Sequence, residues 1–279
     1  MIDTNLYDTA NYVKALIFDV GIELKHIFID HIKHTRLQKL HSRFKNKGEL
    51  VTYADELANT YIIKQLTKRF PYYSIYSEET PTKDLEGLHW IIDPLDGTTN
   101  FVMGNPFWNT AIALADNQNK EILIGIIYAP MLDKLYLAIK NKGAFINKHK
   151  LNLSNITPHK DVTKALNTFC HGSSKQAKLR AAKYYQTAFE NGFIARQLGS
   201  AQLELAYIAE GLIHTMFIAE GNTYDYAAAA LVIKEAGGTI FDQYFTPWTY
   251  THEENKDIIA GINQELLYQL KKYLPLLQK

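Results

Sequence analysis

The stretch WIIDPLDGTTNF, from Trp90 to Phe101, decides how this chain is interpreted, because it ends an apolar run with two aspartates three residues apart. Pro94 and Gly97 favour a turn there, which would bring Asp93 and Asp96 together. Two carboxylates a few ångströms apart oppose each other's ionisation, whereas Mg²⁺ prefers oxygen ligands of this kind. The stretch therefore predicts a cation site, with a plain surface turn as the alternative.

The residues that follow the second aspartate indicate an anion site. If Gly97 and Thr98 begin a short helical turn, their amide N–H groups can hold a phosphate. Glycine also removes the side chain that would block close approach. Cation ligands beside an anion cradle suit the hydrolysis of a phosphate ester.

Further acids along the chain support this interpretation. Glu78 and Glu79 end the neighbouring strand-like run SIYSEE, and Asp225 precedes YAAAALVIKEAGG. Asp225 has a structural alternative, since aspartate is a common helix N-cap. We expect the distant acids to converge with Asp93 and Asp96 into one cage of oxygen ligands.

Composition limits the function classes. Hydrophobic residues make up 47% of the 279 residues and charged residues 21%, as in globular proteins with a substantial core. A formal net charge of +1 favours neither a nucleic acid nor an anionic membrane as a partner. The single cysteine, Cys170, excludes an intramolecular disulfide and is expected to be a buried strand residue.

The pattern of apolar and basic residues predicts a cytoplasmic protein. No apolar run approaches the roughly 20 residues that span a bilayer. The first 18 residues, MIDTNLYDTANYVKALIF, carry acids where a signal peptide would carry basic residues.

Periodicity predicts a layered α+β fold. An amphipathic helix is expected over residues 6–32 and a second helix over 55–69. Strands are expected at YYSIYSEE and LHWIIDP, and an antiparallel meander between residues 107 and 147. After the polar stretch 154–161, helices and strands alternate. We predict a single domain over 1–279, with an N-terminal α+β portion over about 1–155 and a C-terminal α/β portion over about 156–279.

Five segments together resemble the inositol monophosphatase family of magnesium-dependent, lithium-sensitive phosphatases. WIIDPLDGTTNF resembles the first family signature and YDYAAAALVIKEAGG the second, and SEE, ELVTYAD and KGAFINKHKLNLS match in order and spacing. The resemblance implies an α-β-α-β-α sandwich, a homodimer, two or three Mg²⁺ ions, and hydrolysis of a small phosphorylated polyol.

The resemblance also implies a role for each matching residue. Glu78, Asp93 and the Leu95 carbonyl would hold a first Mg²⁺, Asp93, Asp96 and Asp225 a second, and Glu78 would help a weaker third. Gly97 and Thr98 would bind the phosphate through their amides, Thr98 and Glu78 would orient the attacking water, and Asp55 would lie near the nucleophile. Gly199, Ser200 and Ala201 would contact the sugar or cyclitol. A metal that lowers the pKa of water makes hydroxide available near neutral pH, so no phosphorylated side chain is needed.

Two positions depart from the family pattern. Tyr224 replaces a tryptophan, and Ile218 replaces a glutamate that binds substrate hydroxyls, with Glu220 two residues later as a candidate substitute. Loss of that hydroxyl partner weakens discrimination for inositol. Inositol 1-phosphate is the first expectation. The alternatives are other sugar phosphates, fructose 1,6-bisphosphate, histidinol phosphate and nucleotide 3′-phosphates, and a non-enzymatic role as a regulatory binding partner of the transcription machinery.

Overall fold

A computed structural model describes residues 5–33, 42–45, 49–80, 85–156, 160–251 and 255–274. The helices in these ranges are α1 (Leu6–Lys33), α2 (Tyr53–Arg69), α3 (Thr98–Met103), α4 (Lys175–Glu190), α5 (Ala201–Glu210), α6 (Ala227–Ala236) and α7 (Gln264–Leu270). The strands are β1 (Ser42–Lys45), β2 (Glu49–Thr52), β3 (Ser74–Ser77), β4 (Leu88–Asp96), β5 (Asn109–Asp116), β6 (Glu121–Ala129), β7 (Lys134–Ile139), β8 (Gly143–Ile146), β9 (His149–Lys150), β10 (Leu166–His171), β11 (Ile194–Arg196), β12 (Thr215–Gly221), β13 (Thr239–Asp242) and β14 (Lys256–Gly261).

The larger sheet contains the predicted meander. Its strands follow chain order from β3 to β9, with β3 parallel to β4 and every later neighbour antiparallel. Side chains alternate across β4, so Trp90 and Ile92 belong to the core under α1 and α2, whereas Ile91 belongs to the core on the opposite face. The sheet is therefore covered on both faces, and β4 is buried along most of its length.

The smaller sheet has the order β11-β10-β12-β14-β13. β10 is parallel to β11 and β12, and β14 is antiparallel to β12 and β13. α4 packs against β10 and β12, and α7 packs against β14. Helices joined to parallel strands thus account for one half of this sheet, and antiparallel pairs account for the other.

Two helices separate the sheets. α6 contacts β6, β7 and β8 of the larger sheet and β13 of the smaller one, and α5 contacts α6, β6 and β12. A run of small buried side chains, Ala227 to Ala230, lets α6 lie close to both sheets. The order of layers is α1 and α2, larger sheet, α5 and α6, smaller sheet, and α4 and α7, which is the predicted five-layer sandwich.

The predicted helices are confirmed with shifts of a few residues at their ends. α1 buries Val13, Ile17, Val20 and Leu24 on one stripe, as its three- and four-residue spacing indicated. The β1–β2 hairpin and β13 were not predicted, and residues 157–159 of the predicted boundary lie outside the described residues. The single domain over 1–279 and its division near residue 155 stay predictions. None of the helices over the described ranges has the length and apolar character that crossing a bilayer requires.

Candidate active site

The two aspartates of the opening motif lie in a bulged strand, not in the predicted turn. Asp93 is paired with Ala111 and Asp96 with Asn109, so β4 advances three residues over a stretch in which β5 advances two. Pro94 has no N–H for the ladder, which favours the irregularity at this place. The extra residue restores Asp93 and Asp96 to the same face of the sheet, although an i, i+3 pair in a regular strand would lie on opposite faces.

Asp93 is at the centre of a group of acids from four separate parts of the chain. Burial raises the pKa of its carboxyl well above the ordinary value, and the charges of Glu78, Asp96, Asp225 and Asp55 raise this pKa further. The side chain is almost fully buried, with 2% of its surface exposed. The fold therefore brings the distant acids together around Asp93, as the sequence predicted.

A second part of the cluster lies beside the end of β3. Asp55 comes from the first turn of α2, and Glu78 and Glu79 directly follow β3. Each of these three acids offers a carboxylate oxygen that lies within 4.8 Å of those of the other two. Asp55 and Glu78 were predicted here, and Glu79 joins them without an assigned role.

Asp96 connects the larger sheet to α5. Its Oδ2 accepts hydrogen bonds from Asn109 Nδ2 at 2.7 Å, Ser200 Oγ at 2.7 Å and the Gln202 amide at 2.8 Å, and its Oδ1 accepts one from the Ala201 amide at 3.0 Å. Burial raises the pKa of Asp96, and these hydrogen bonds act in the opposite direction. Ser200 and Ala201, predicted to contact the substrate, are thus partners of Asp96 in this structure.

Asp225 is not the N-cap of α6. It ends a short 3₁₀ turn, Thr223–Asp225, and its Oδ2 accepts the Asn222 amide at 2.6 Å in a reciprocal capping box. Tyr226 is the residue that precedes the first turn of α6. The capping box fixes Asp225 between β12 and α6, where its charge reaches Asp93.

The residues predicted to hold a phosphate form a tightly packed turn. Gly97 has a φ of +88°, and a Cβ at this position would lie 3.0 Å from the Phe107 carbonyl oxygen and 3.2 Å from Ser200 Cβ. α3 begins at the next residue, and Thr98 Oγ1 donates to the Leu95 carbonyl oxygen at 2.9 Å. Only glycine fits this backbone without strain. The roles of Gly97, Thr98 and Leu95 stay predictions.

A cavity of about 520 Å³ opens beside the acids. Glu78, Asp96 and Asp225 line it together with the predicted substrate residues Gly199 and Ala201, and Ile218 and Tyr224 also line it. Asn100 shapes the wall, because its Nδ2 donates to the Phe107 and Leu198 carbonyls, both at 2.8 Å. Sequence reasoning missed Asn100 and Asn109. Asn109 could have been found from the sequence, because it is a polar residue at the start of an apolar strand.

Glu220 does not substitute for the family glutamate. Its Oε1 forms an ion pair with Arg180 Nη2 at 3.0 Å, its Oε2 accepts a hydrogen bond from Ser174 Oγ, and it is not among the residues that line the cavity. Arg180 also binds Asp257, which is fully buried. Ile218 lines the cavity, so position 218 itself offers no carboxylate there.

The donor set fits a hard divalent cation. Asp93 Oδ1 is buried and, among the described residues, has no hydrogen-bond partner, although four other acids act on this carboxyl. An uncompensated buried carboxylate is costly, whereas an oxygen-coordinated cation removes both the repulsion and the lost hydrogen bond. Asp55, Glu78, Asp93, Asp96 and Asp225 are therefore the residues that could hold metal.

Comparison with known proteins shows which family the chain is similar to. Residues 13–274 match the profile of the inositol monophosphatase family. The chain is 33% identical over 238 residues to an inositol monophosphatase of Dictyostelium discoideum, covering 83% of this chain and 84% of that protein. It is 33% identical over 220 residues to the Nus factor SuhB of Xylella fastidiosa, covering 77% and 76% respectively. The crystal structure of the extragenic suppressor protein suhB from Bartonella henselae superimposes with a TM-score of 0.82 at 25% identity, covering 96% of this chain and 98% of that one.

Proposed function

The chain belongs to the inositol monophosphatase family and is an enzyme of the phosphoric monoester hydrolase class, and from this premise we propose that it hydrolyses a small phosphorylated polyol with the help of Mg²⁺. The observation that carries the proposal is the convergence of the acids on Asp93, whose Oδ1 is buried among them with no hydrogen-bond donor in the described part of the chain. Inositol 1-phosphate is the first candidate substrate, since the family name and the Dictyostelium relative point to it.

Each group of residues has a proposed task. Asp55, Glu78, Asp93, Asp96, Asp225 and the Leu95 carbonyl would hold two or three Mg²⁺ ions. Bound Mg²⁺ would supply a water of lowered pKa and neutralise charge on the phosphate. Thr98, whose hydroxyl is fixed by Leu95, would orient that water together with Glu78, and the amides of Gly97 and Thr98 would bind phosphate oxygens. Gly199, Ser200 and Ala201 would form the wall against the polyol, of which Gly199 and Ala201 line the cavity and Ser200 supports it from below through Asp96.

A phosphate-release panel tests the proposal. Purified protein is incubated with inositol 1-phosphate, fructose 1,6-bisphosphate, histidinol phosphate and a nucleotide 3′-phosphate, with Mg²⁺ or with EDTA, and free phosphate is measured. We expect release that requires Mg²⁺ and is lost in Asp93→Asn. Asp19→Asn, an exposed aspartate of α1, is the matched control. No release from any substrate, or release that survives both EDTA and Asp93→Asn, would refute the proposal.

A regulatory role is the second candidate, because the Xylella relative is named as a Nus factor. Binding to transcription machinery need not involve turnover, and a net charge of +1 gives no dominant basic surface for direct RNA contact. A pull-down from lysate with wild type and Asp93→Asn separates the two roles. Capture of RNA polymerase subunits by both proteins would support the second role, and capture by neither would exclude it.

Two further expectations accompany the proposal. A homodimer is expected from the family resemblance, and light scattering coupled to size exclusion should then give twice the chain mass of 31.9 kDa. A mass equal to one chain would contradict it. The cytoplasmic location stays a prediction.

A further inference from the structure

Residues 198–199 form a part of the cavity wall that the backbone shapes. Both residues line the cavity and directly precede Ser200 and α5. Gly199 has a φ of +86°, and a Cβ at this position would lie 3.1 Å from Asn100 Nδ2. Glycine is conformationally free and has no side chain to pack, so bonds to the backbone determine where this part of the wall lies.

Glu204 holds the two amides of this segment. It lies in the first turn of α5 and is fully buried. Its Oε1 accepts the Gly199 amide at 2.9 Å and the Leu198 amide at 3.2 Å, and the Cys170 thiol donates to the same oxygen at 3.3 Å. One carboxyl oxygen thus binds two consecutive amides of the cavity wall, which leaves this stretch of backbone little freedom.

Asn100 holds the same segment from α3. Its Nδ2 donates to the Leu198 carbonyl oxygen at 2.8 Å, and α3 directly follows the turn at Gly97 that is proposed to bind phosphate. Residues 198–199 are therefore held between α3 and α5, by a donor on one side and an acceptor on the other. Loss of the acceptor would release the two amides and leave only the carbonyl fixed.

The next part of the wall has a separate anchor. Ser200 Oγ and the amides of Ala201 and Gln202 donate to the carboxylate of Asp96. These three hydrogen bonds do not involve Glu204. Substitution of Glu204 should therefore shift residues 198–199, while Asp96 keeps its donors and its place among the acids that could hold metal.

We propose that Glu204 is a positioning residue, whose side-chain oxygen sets residues 198–199 against the organic part of the substrate. This inference rests on the proposed function, because it concerns the substrate wall of the same site. The segment would contact the organic part of the substrate and not the reacting phosphate. Its displacement should then weaken binding equally in the ground state and the transition state, so that KM rises and kcat is unchanged.

Kinetics with two kinds of substrate test the proposal. One is the substrate of the phosphate-release panel that wild type cleaves best, and the other is p-nitrophenyl phosphate, whose ring carries no hydroxyl groups. In Glu204→Leu, which has no acceptor, KM for the panel substrate should rise about tenfold, the lower end of the effect of one lost contact in a binding pocket. Its kcat, and both constants for p-nitrophenyl phosphate, should stay as in wild type.

Two variants separate positioning from general damage to the helix. In Glu204→Gln the side-chain carbonyl accepts the same two amides, so KM should return close to the wild-type value. Glu210→Leu is the matched control, because Glu210 is the last residue of α5, forms an ion pair with Lys134 at 2.7 Å and does not line the cavity. It should leave both constants unchanged for both substrates.

Three results would overturn the positioning role: an unchanged KM in Glu204→Leu, equal losses for both substrates, or a Glu204→Gln variant as impaired as Glu204→Leu. If Glu204→Leu does not fold, Glu204→Met takes its place, since its unbranched side chain also lacks an acceptor of comparable strength and adapts to the space. In each of these cases, phosphate release by wild type leaves the phosphatase function standing. Absence of release from every substrate by wild type would overturn both proposals.

Discussion

Glu204 provides a test of the electrostatics behind the proposed substrate wall. The side chain is fully buried on α5, and its Oε1 accepts the amides of Gly199 at 2.9 Å and Leu198 at 3.2 Å. Burial raises the pKa of Glu204 from the ordinary 4.5 to about 7, although its hydrogen bonds act in the opposite direction. The carboxyl is therefore protonated in the folded protein at pH values where it is ionised in the unfolded chain.

The sign and size of the effect follow from this pKa. The folded protein binds the extra proton between pH 4.5 and about 7, so the stabilisation is fully present below pH 4.5 and is lost as the pH rises through 7. The pKa lies about 2.5 above the ordinary value, and one pKa unit corresponds to about 1.36 kcal/mol. The contribution of Glu204 to the free energy of unfolding should thus fall by about 3 kcal/mol between pH 4.5 and pH 8.

Urea unfolding of metal-free protein measures this contribution. Free energies of unfolding are compared for wild type and Glu204→Gln at several pH values from 4.5 to 8. Glutamine does not titrate, so the difference between the two proteins should change by about 3 kcal/mol in favour of the variant as the pH rises. Glu190→Gln, at an exposed position near the end of α4, controls for the loss of one carboxylate. A difference between wild type and Glu204→Gln that stays constant over this range would refute the reasoning.

Three other substitutions test separate parts of the structure. Asp93→Asn should raise the melting temperature of the metal-free protein, since it removes a buried charge among acids, and a lower melting temperature would contradict the repulsion. The same variant should lower phosphate release by more than about 100-fold, because even groups that only support metal ligands contribute about 10–100-fold. Arg180→Met should lower the free energy of unfolding in urea by about 3–5 kcal/mol, as it leaves the buried Asp257 without its cation; a loss below 1 kcal/mol would mean that water replaces the guanidinium. Gly97→Ala should lower the free energy of unfolding in urea by about 1–3 kcal/mol from the positive φ alone. Gly192 also has a positive φ, of +75°, but lies in open space, so Gly192→Ala should lower this free energy less. Equal losses for the two variants would show that crowding at Gly97 is absent.

Local sequence patterns predicted most of the secondary structure, because the helices and strands concerned depend on the order of apolar and polar side chains within each segment. The stripe on α1 and the alternating runs of β5, β6 and β7 depend on which side chains are apolar, and the structure confirms them. The turn at Pro94 was wrong for a non-local reason. The extra residue of β4 is defined only by its pairing with β5, and a proline between two aspartates gives the same local signal in a turn and in a bulge.

The acids could be predicted from their residue types, whereas their supporting partners could not. Asp93 and Asp96 stand out as paired carboxylates after an apolar run. Ser200 lies 104 residues beyond Asp96, and nothing in either segment shows that its hydroxyl donates to that carboxylate. The partner of Glu220 could likewise not be predicted, because Arg180, with which it forms an ion pair, lies 40 residues away in the sequence. Partners of this kind are fixed by the packing of layers and not by the local sequence.

The two aspartates of the motif have different environments, and this difference explains why the fold can hold so much negative charge. The carboxylate of Asp96 accepts two amides from the first turn of α5, where the helix dipole favours a negative charge, and two side-chain donors complete its shell. Among the residues that the structure describes, Asp93 has no comparable set of donors, and its Oδ1 is buried without a hydrogen-bond partner while the charges of four other acids act on this carboxyl. Asp96 is thus compensated by the protein itself, whereas the proposed cation would compensate Asp93. Because Ser200 and Ala201 are donors to Asp96 and also belong to the proposed substrate wall, removal of the charge of Asp96 should displace these two residues as well as weaken the proposed metal site.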